Sequence, residues 1–167
     1  MAIFEIAFEN MFANERGYTD DPHPTICGID RKWHPEFPGW KRVDECLAAG
    51  TNPNELLKDE LFMSDVRRFY RSNFWPPIYN LITNQGAANI IFDRGVNVGI
   101  HPAVQIAQRL LGIPDDGSFG KDTLFRVNQA GEGFSAAYDA ACDEYYKQLA
   151  VEHPEDKKYL KGWLNRR

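Results

Sequence analysis

From residue 52 onward the sequence falls into segments whose apolar residues recur at helical spacing, each closed off by a capping residue, a glycine or a proline. Asn52-Pro53-Asn54-Glu55 reads as a helix start, with Asn52 as cap, Pro53 in the first turn and Glu55 completing a capping box. Ser64 is the expected cap of a helix running through Val66, Phe69 and Tyr70 to Trp75, where Pro76-Pro77 ends it. A longer helix is expected from about Asn84 to Val98, burying Ala87, Ala88, Ile91, Phe92 and Gly95. The next opens at His101-Pro102 and closes at Leu111-Gly112. Asp115-Asp116-Gly117 forms a turn, and helices follow at 121–129, 134–150 and 155–164. At the other end of the chain, residues 2–16 form a first helix. Ile3, Ala7, Met11 and Asn14/Glu15 share one face, Phe4, Phe8 and Phe12 line its neighbour, and Gly17 stops it. Such a pattern predicts an all-α fold of about seven helices with little sheet.

One stretch breaks it. Tyr18 to Gly50 carries Pro22, Pro24, Pro35 and Pro38 among polar and aromatic residues, with room for a short hairpin but no clean alternation. A structureless segment of this length inside a compact domain is characteristically functional.

Composition narrows the class. At 167 residues, 43% apolar and with 22 aromatic side chains, the chain has the material for a real core. A net charge of −5 argues against a nucleic-acid partner, which calls for a basic stripe. Cys27, Cys46 and Cys142 match no zinc or redox spacing, and histidine is sparse, so neither metal nor cofactor is expected. Free thiols are the plain reading, with one disulfide left open. The N-terminus lacks the basic start, apolar run and cleavage site of a signal peptide, and no segment approaches a membrane span.

Chemistry concentrates at Asn14-Glu15-Arg16-Gly17-Tyr18-Thr19-Asp20-Asp21-Pro22. Glu15 ends an apolar helical face where the chain enters the irregular loop. Half-burial against Phe8, Met11 and Phe12 would disfavour its ionised form, as a general acid working near neutral pH requires. The competing reading is a solvated Glu paired with Arg16. Asp20 and Asp21 supply further carboxylates, with an Asx turn before Pro22 as the bland account of one of them. Thr25 has a hydroxyl able to orient a water. Asp93 and Asn97 lie four apart on one helix face, suited either to sugar N-acetyl and hydroxyl groups or to a helix-packing bond, and Gln105 is of the same type. Tyr18 and Trp75 offer ring faces for a sugar, with burial in the core as the alternative. Lys157, Lys158, Lys161, Arg166 and Arg167 make a basic end that reads as solvated.

Glu15-Arg16-Gly17-Tyr18, with Asp21-Pro22 and Gly28-Ile29, resembles the catalytic signature of glycoside hydrolase family 108, the lysozyme-like N-acetylmuramidases of phage endolysins and secretion-assisting proteins. The likeness continues through residues 66–75 and 92–99 and ends in Gly162-Trp163-Leu164-Asn165-Arg166. Residues 108–112 and the run Asp116-Gly117-Ser118-Phe119-Gly120-Lys121-Asp122-Thr123-Leu124 are similar to the D-G-x-x-G-x-x-T pattern of peptidoglycan-binding helical segments. The resemblance implies a lysozyme-like fold, with a catalytic region over 1–100 and a wall-binding-like region over 101–167 packed as one unit with it. It implies Glu15 as catalytic acid; Asp21 and Thr25 are then the expected partners in catalysis, and Tyr18, Asp20, Asp93, Asn97 and Gln105 the expected substrate contacts.

The sequence departs from the family at Arg16, which replaces a glycine, and after Pro22, where the family's second Asp and its Gly pair are missing. The expected activity is hydrolysis of the β-1,4 bond between N-acetylmuramic acid and N-acetylglucosamine, with retention and inversion both open. A lytic transglycosylase and a non-catalytic wall-binding or secretion-assisting protein are the rival readings. The expected partner is the peptidoglycan glycan strand, met by a monomer that does not insert in a membrane. Such a protein would be made in the cytoplasm and reach the wall through a holin or another export route.

Overall fold

The first helix, α1 (Phe4–Phe12), is built on a stripe of Phe4, Ala7, Phe8 and Met11, all buried, at the spacing of one helical face. The computed structural model describes residues 1–13 and 17–164. After α1 come the strands β1 (Thr25–Ile26) and β2 (Ile29–Asp30), then α2 (Trp40–Ala48), α3 (Glu60–Phe74), α4 (Gln85–Val98), α5 (Ile100–Leu110), α6 (Lys121–Gln129), α7 (Phe134–Glu152) and α8 (Leu160–Leu164). Short 3-10 turns at Pro53–Lys58, Pro77–Leu81 and Pro154–Tyr159 each begin on a proline, whose fixed φ suits a first turn. The architecture is all-α, as expected, and the two-residue strands are its only sheet among the described residues.

The chain divides into two compact units, one formed by Met1–Met11 with Phe74–Arg167 and the other by Phe12–Asn73. In the first, Phe4 meets Trp75 and Phe92 edge-on, with ring centroids 5.6 and 5.7 Å apart. Trp75 is 4% exposed and donates its indole N–H to Asn80 Oδ1 at 2.8 Å, so its ring serves the core and offers no face to a sugar. α4 packs on α5 and α7. Its Arg94, 2% exposed, is ion-paired to Asp139 of α7, and Asn97 donates to the Tyr146 hydroxyl at 2.7 Å. Tyr138 of α7 donates to the Ala103 carbonyl of α5 at 2.8 Å.

The second unit holds the hairpin. Ile26 and Ile29 pair across it, both fully buried, and Cys27 and Gly28 both take positive φ (53° and 75°) in its two-residue turn. Glycine takes the second position at no steric cost. Cys27 is held there by Tyr70 of α3, whose hydroxyl donates to the Cys27 carbonyl at 2.7 Å. Phe37 packs edge-on against Trp40, Phe62 and Phe69 to make the core of this unit.

Two local expectations, at Ser64 and at residues 40–48, are corrected. Ser64 caps nothing; α3 starts four residues earlier, where Asp59 Oδ1 accepts the N–H groups of Leu61 and Phe62 at 2.9 and 3.0 Å. Asn52 caps its 3-10 turn as expected by accepting from Asn54 N at 3.0 Å. Residues 40–48, read as irregular, are helical. All three cysteines are free.

Candidate active site

Glu15, with Asn14 and Arg16, lies outside the described residues. The chain that follows is held firmly. Gly17 sits so close to Asn54 that a Cβ there would collide with the Asn54 carboxamide. The next backbone N–H, that of Tyr18, donates to Asn54 Oδ1 at 2.6 Å. Thr19 and Thr25 then exchange backbone bonds at 2.9 and 2.8 Å, and Thr25 pairs with Asp30 across the hairpin. The loop is thus a small antiparallel ladder that carries Tyr18, Asp20, Asp21 and Thr25 together in one unit.

Each of these has a defined electrostatic setting. Burial, then the nearby charge of Asp20, push the Tyr18 hydroxyl above its ordinary range. Asp21 is exposed. Its backbone N–H reaches Thr19 Oγ1 at 3.3 Å, while its carboxylate has no partner among the described residues. Thr25 donates its hydroxyl proton to the His23 carbonyl at 3.1 Å, which leaves the oxygen able to accept only. His23 faces Asp30, Nδ1 to Oδ2, at 3.5 Å.

The remaining candidates belong to the other unit. Asp93, half-buried, lies with Oδ2 3.7 Å from Arg94 Nη1. Asn97 donates to Tyr146, and Gln105 donates to the Asp115 carbonyl at 3.0 Å, so both amide donors serve protein packing.

Sequence reasoning passed over three features here. Arg31 grips Asp44 through both guanidinium arms at 2.6 and 2.9 Å and lies over the Trp40 ring at 5.2 Å. That bond raises the Arg31 pKa and lowers that of Asp44. Asn54 is the anchor of Tyr18. Trp33 is 69% exposed with Lys32 Nζ 5.0 Å from its ring, the kind of bare aromatic surface a sugar can use. Arg31–Asp44 and Asn54–Tyr18 are long-range pairs that no local motif announces. Trp33 was visible only as one aromatic among several in an irregular stretch. Among the described residues there is no cluster of metal-ligating side chains and no helix long and apolar enough to cross a membrane.

No curated protein matches the chain. The solved structure of SagA from Brucella abortus shares its fold with a TM-score of 0.65 at 22% identity, over 98% of this chain and 88% of that one. Residues 102–167 match the predicted peptidoglycan domain. Residues 8–99 match the glycosyl hydrolase 108 family. That match takes in more than half of the sequence and the whole of the carboxylate-bearing loop, and the chain therefore belongs to the glycosyl hydrolase 108 family as a peptidoglycan-related hydrolase.

Proposed function

We propose that the protein is an N-acetylmuramidase, hydrolysing the β-1,4 bond between N-acetylmuramic acid and N-acetylglucosamine with Glu15 as general acid. The observation that carries this reading is the family match over residues 8–99, which spans Glu15 and the ladder beyond it. Glu15 protonates the leaving oxygen as positive charge develops on the sugar ring. A second carboxylate must then stabilise that charge or activate water, and Asp21 suits the role because its carboxylate is exposed and has no partner among the described residues. Asp20 lies within electrostatic reach of Tyr18, and both contact substrate in this reading. Thr25, an acceptor only, orients the water by taking one of its hydrogens. Asp93, Asn97 and Gln105 are further substrate contacts in this reading, with Asn97 and Gln105 each giving one of two amide N–H groups to packing.

Residues 1–100 form the catalytic region in this account and 101–167 a wall-binding region. The protein acts on the wall after leaving the cytoplasm through a holin or another export route. Digesting purified peptidoglycan and weighing the fragments tests the reaction. Reducing muramic acid ends are expected; anhydro-muramic ends would mean a transglycosylase, and reducing glucosamine ends a different bond.

A further inference from the structure

The loop before α6 and the first turns of that helix border an open groove of about 700 Å³, within the roughly 300–1,000 Å³ typical of small-ligand sites. The hydrolytic reaction makes no use of it. Its inner wall is fixed by Gln108, which is 2% exposed. The two hydrogens of Gln108 Nε2 are shared among Asp116 Oδ1, the Ser118 carbonyl and Thr123 Oγ1, at 2.8, 3.1 and 3.1 Å. Gln108 Oε1 accepts the Gly117 N–H at 2.8 Å, and Asp116 also accepts the Ser118 N–H at 2.9 Å. The Asp, Gly and Thr of the sequence motif are therefore committed to holding the loop, and the groove is preformed. A ligand entering it has no loop to order.

The rim is built differently. Lys121, Asp122, Phe125 and Arg126 are all exposed groove residues, Phe125 at 58%. Neither cation nor Asp122 forms an ion pair among the described residues. Lys121 and Phe125 stand four apart on one face of α6, and Asp122 and Arg126 on the adjoining one. A single exposed Phe means little. A bare ring beside two unpaired cations and an unpaired carboxylate, over a rigid cavity, is the complement of a small zwitterion with some apolar surface.

Resting on the peptidoglycan-directed reading above, we infer that this groove binds the short peptide stem of the wall. In the intact wall the muramyl carboxyl is tied up in its amide link to the stem, and the N-acetyl sugars carry no charge. Free carboxylates, and the amine of a diamino acid, belong to the peptide. Lys121 and Arg126 receive the carboxylates, Asp122 the ammonium group, and Phe125 packs on the aliphatic chain between them.

The test uses the full chain, isotopically labelled for NMR, titrated with a synthetic alanyl-γ-glutamyl-diaminopimelyl-alanine stem and separately with neutral N-acetylglucosamine tetramer. The stem is expected to shift signals of residues 113–126 saturably. Combined Lys121→Ala and Arg126→Ala should weaken it at least tenfold, and Phe125→Ala should weaken it several-fold. All three side chains are exposed, so folding is preserved and the unshifted remainder of the spectrum checks it. No shift in 113–126, equal affinity in the variants, or occupation of the groove by the sugar tetramer would overturn the inference. Digestion of whole sacculi by the wild type, run alongside, separates the two claims. Cleavage without stem binding removes the groove assignment alone. Stem binding without cleavage removes the hydrolase reading and leaves the groove assignment standing.

Discussion

The Asn54 carboxamide accepts the backbone N–H of Tyr18 at 2.6 Å, and the Gly17 α-carbon lies against the same group with no space for a side chain. One asparagine thus fixes the chain immediately after the candidate acid. Gly17→Ala must push Asn54 aside and break the bond to Tyr18. Asn54→Ala removes the same bond without a clash. Each should cost about 1–2 kcal/mol of stability and lower kcat/KM on peptidoglycan about tenfold or more. Because both act on one contact, the double variant should cost little more than Asn54→Ala alone. Urea unfolding and turnover of the four proteins check this; simple additivity would show that the two positions act separately.

Arg94 is buried and ion-paired to Asp139. Burial is the largest influence and would lower its pKa, but the Asp139 bond together with the charges of Tyr146, Asp93 and Asp139 holds the guanidinium above its ordinary value. Asp139→Ala takes the bonded carboxylate away from a buried charge, with Asp93 more distant at 3.7 Å, and is expected to destabilise by about 3 kcal/mol. Replacing both partners, as Arg94→Met with Asp139→Leu, should recover most of that loss. Denaturant midpoints decide; a double variant as weak as Asp139→Ala would contradict the argument.

Asp59 caps α3 and is ion-paired to Arg42, and its pKa is lowered from 3.8 to about 2, chiefly by the Arg42 bond and then by the Phe62 N–H. A carboxylate depressed in the folded state binds fewer protons there than in the unfolded chain. Its contribution is present above about pH 4 and lost as pH falls toward 2. Wild-type stability should drop across that window, and Asp59→Asn should drop less steeply while starting lower. Thermal melts between pH 2 and 6 give the slopes, and equal slopes would remove Asp59 from the acid response.

Cys27 and Cys142 are buried, and burial pushes the Cys142 thiol up to about 12, whereas Cys46 is half-exposed. Thiol reagents act on the accessible thiolate. Under native conditions one thiol per chain should react, at Cys46, and three after unfolding. Mass mapping of the labelled site checks both counts; rapid native labelling of Cys142 would contradict the packing of α7.

Much of the helical frame was legible in the sequence, because cap and period agree there. Asn84 caps α4 by accepting the Ala87 N–H at 3.0 Å, and Ala87, Ala88, Ile91, Phe92 and Gly95 are buried as their spacing implied. Where the local signal was thin, the reading failed. α2 buries only Trp40 and Val43, so its nine residues carry no obvious apolar stripe. Serine suits a cap position, which favours Ser64 on local grounds, but Asp59 both accepts two N–H groups and pairs with Arg42. The candidate site divides the same way. Tyr18 and Asp20 are near neighbours in sequence, so their partnership was within reach of a local reading. Asn54 and the Arg31–Asp44 clamp join the loop to residues 36 and 13 positions away, and only the fold brings those together.

The central claim is that this chain cleaves glycan strands with Glu15 as its acid. The most direct measurement is digestion of purified peptidoglycan by wild type and by Glu15→Gln, with products identified by mass. Loss of the acid should cost at least a hundredfold in rate. The account predicts reducing muramic acid ends from the wild type and none above background from the variant, with both proteins equally folded. Cleavage by Glu15→Gln at the wild-type rate, or no cleavage by a folded wild type that still binds the wall, would contradict it.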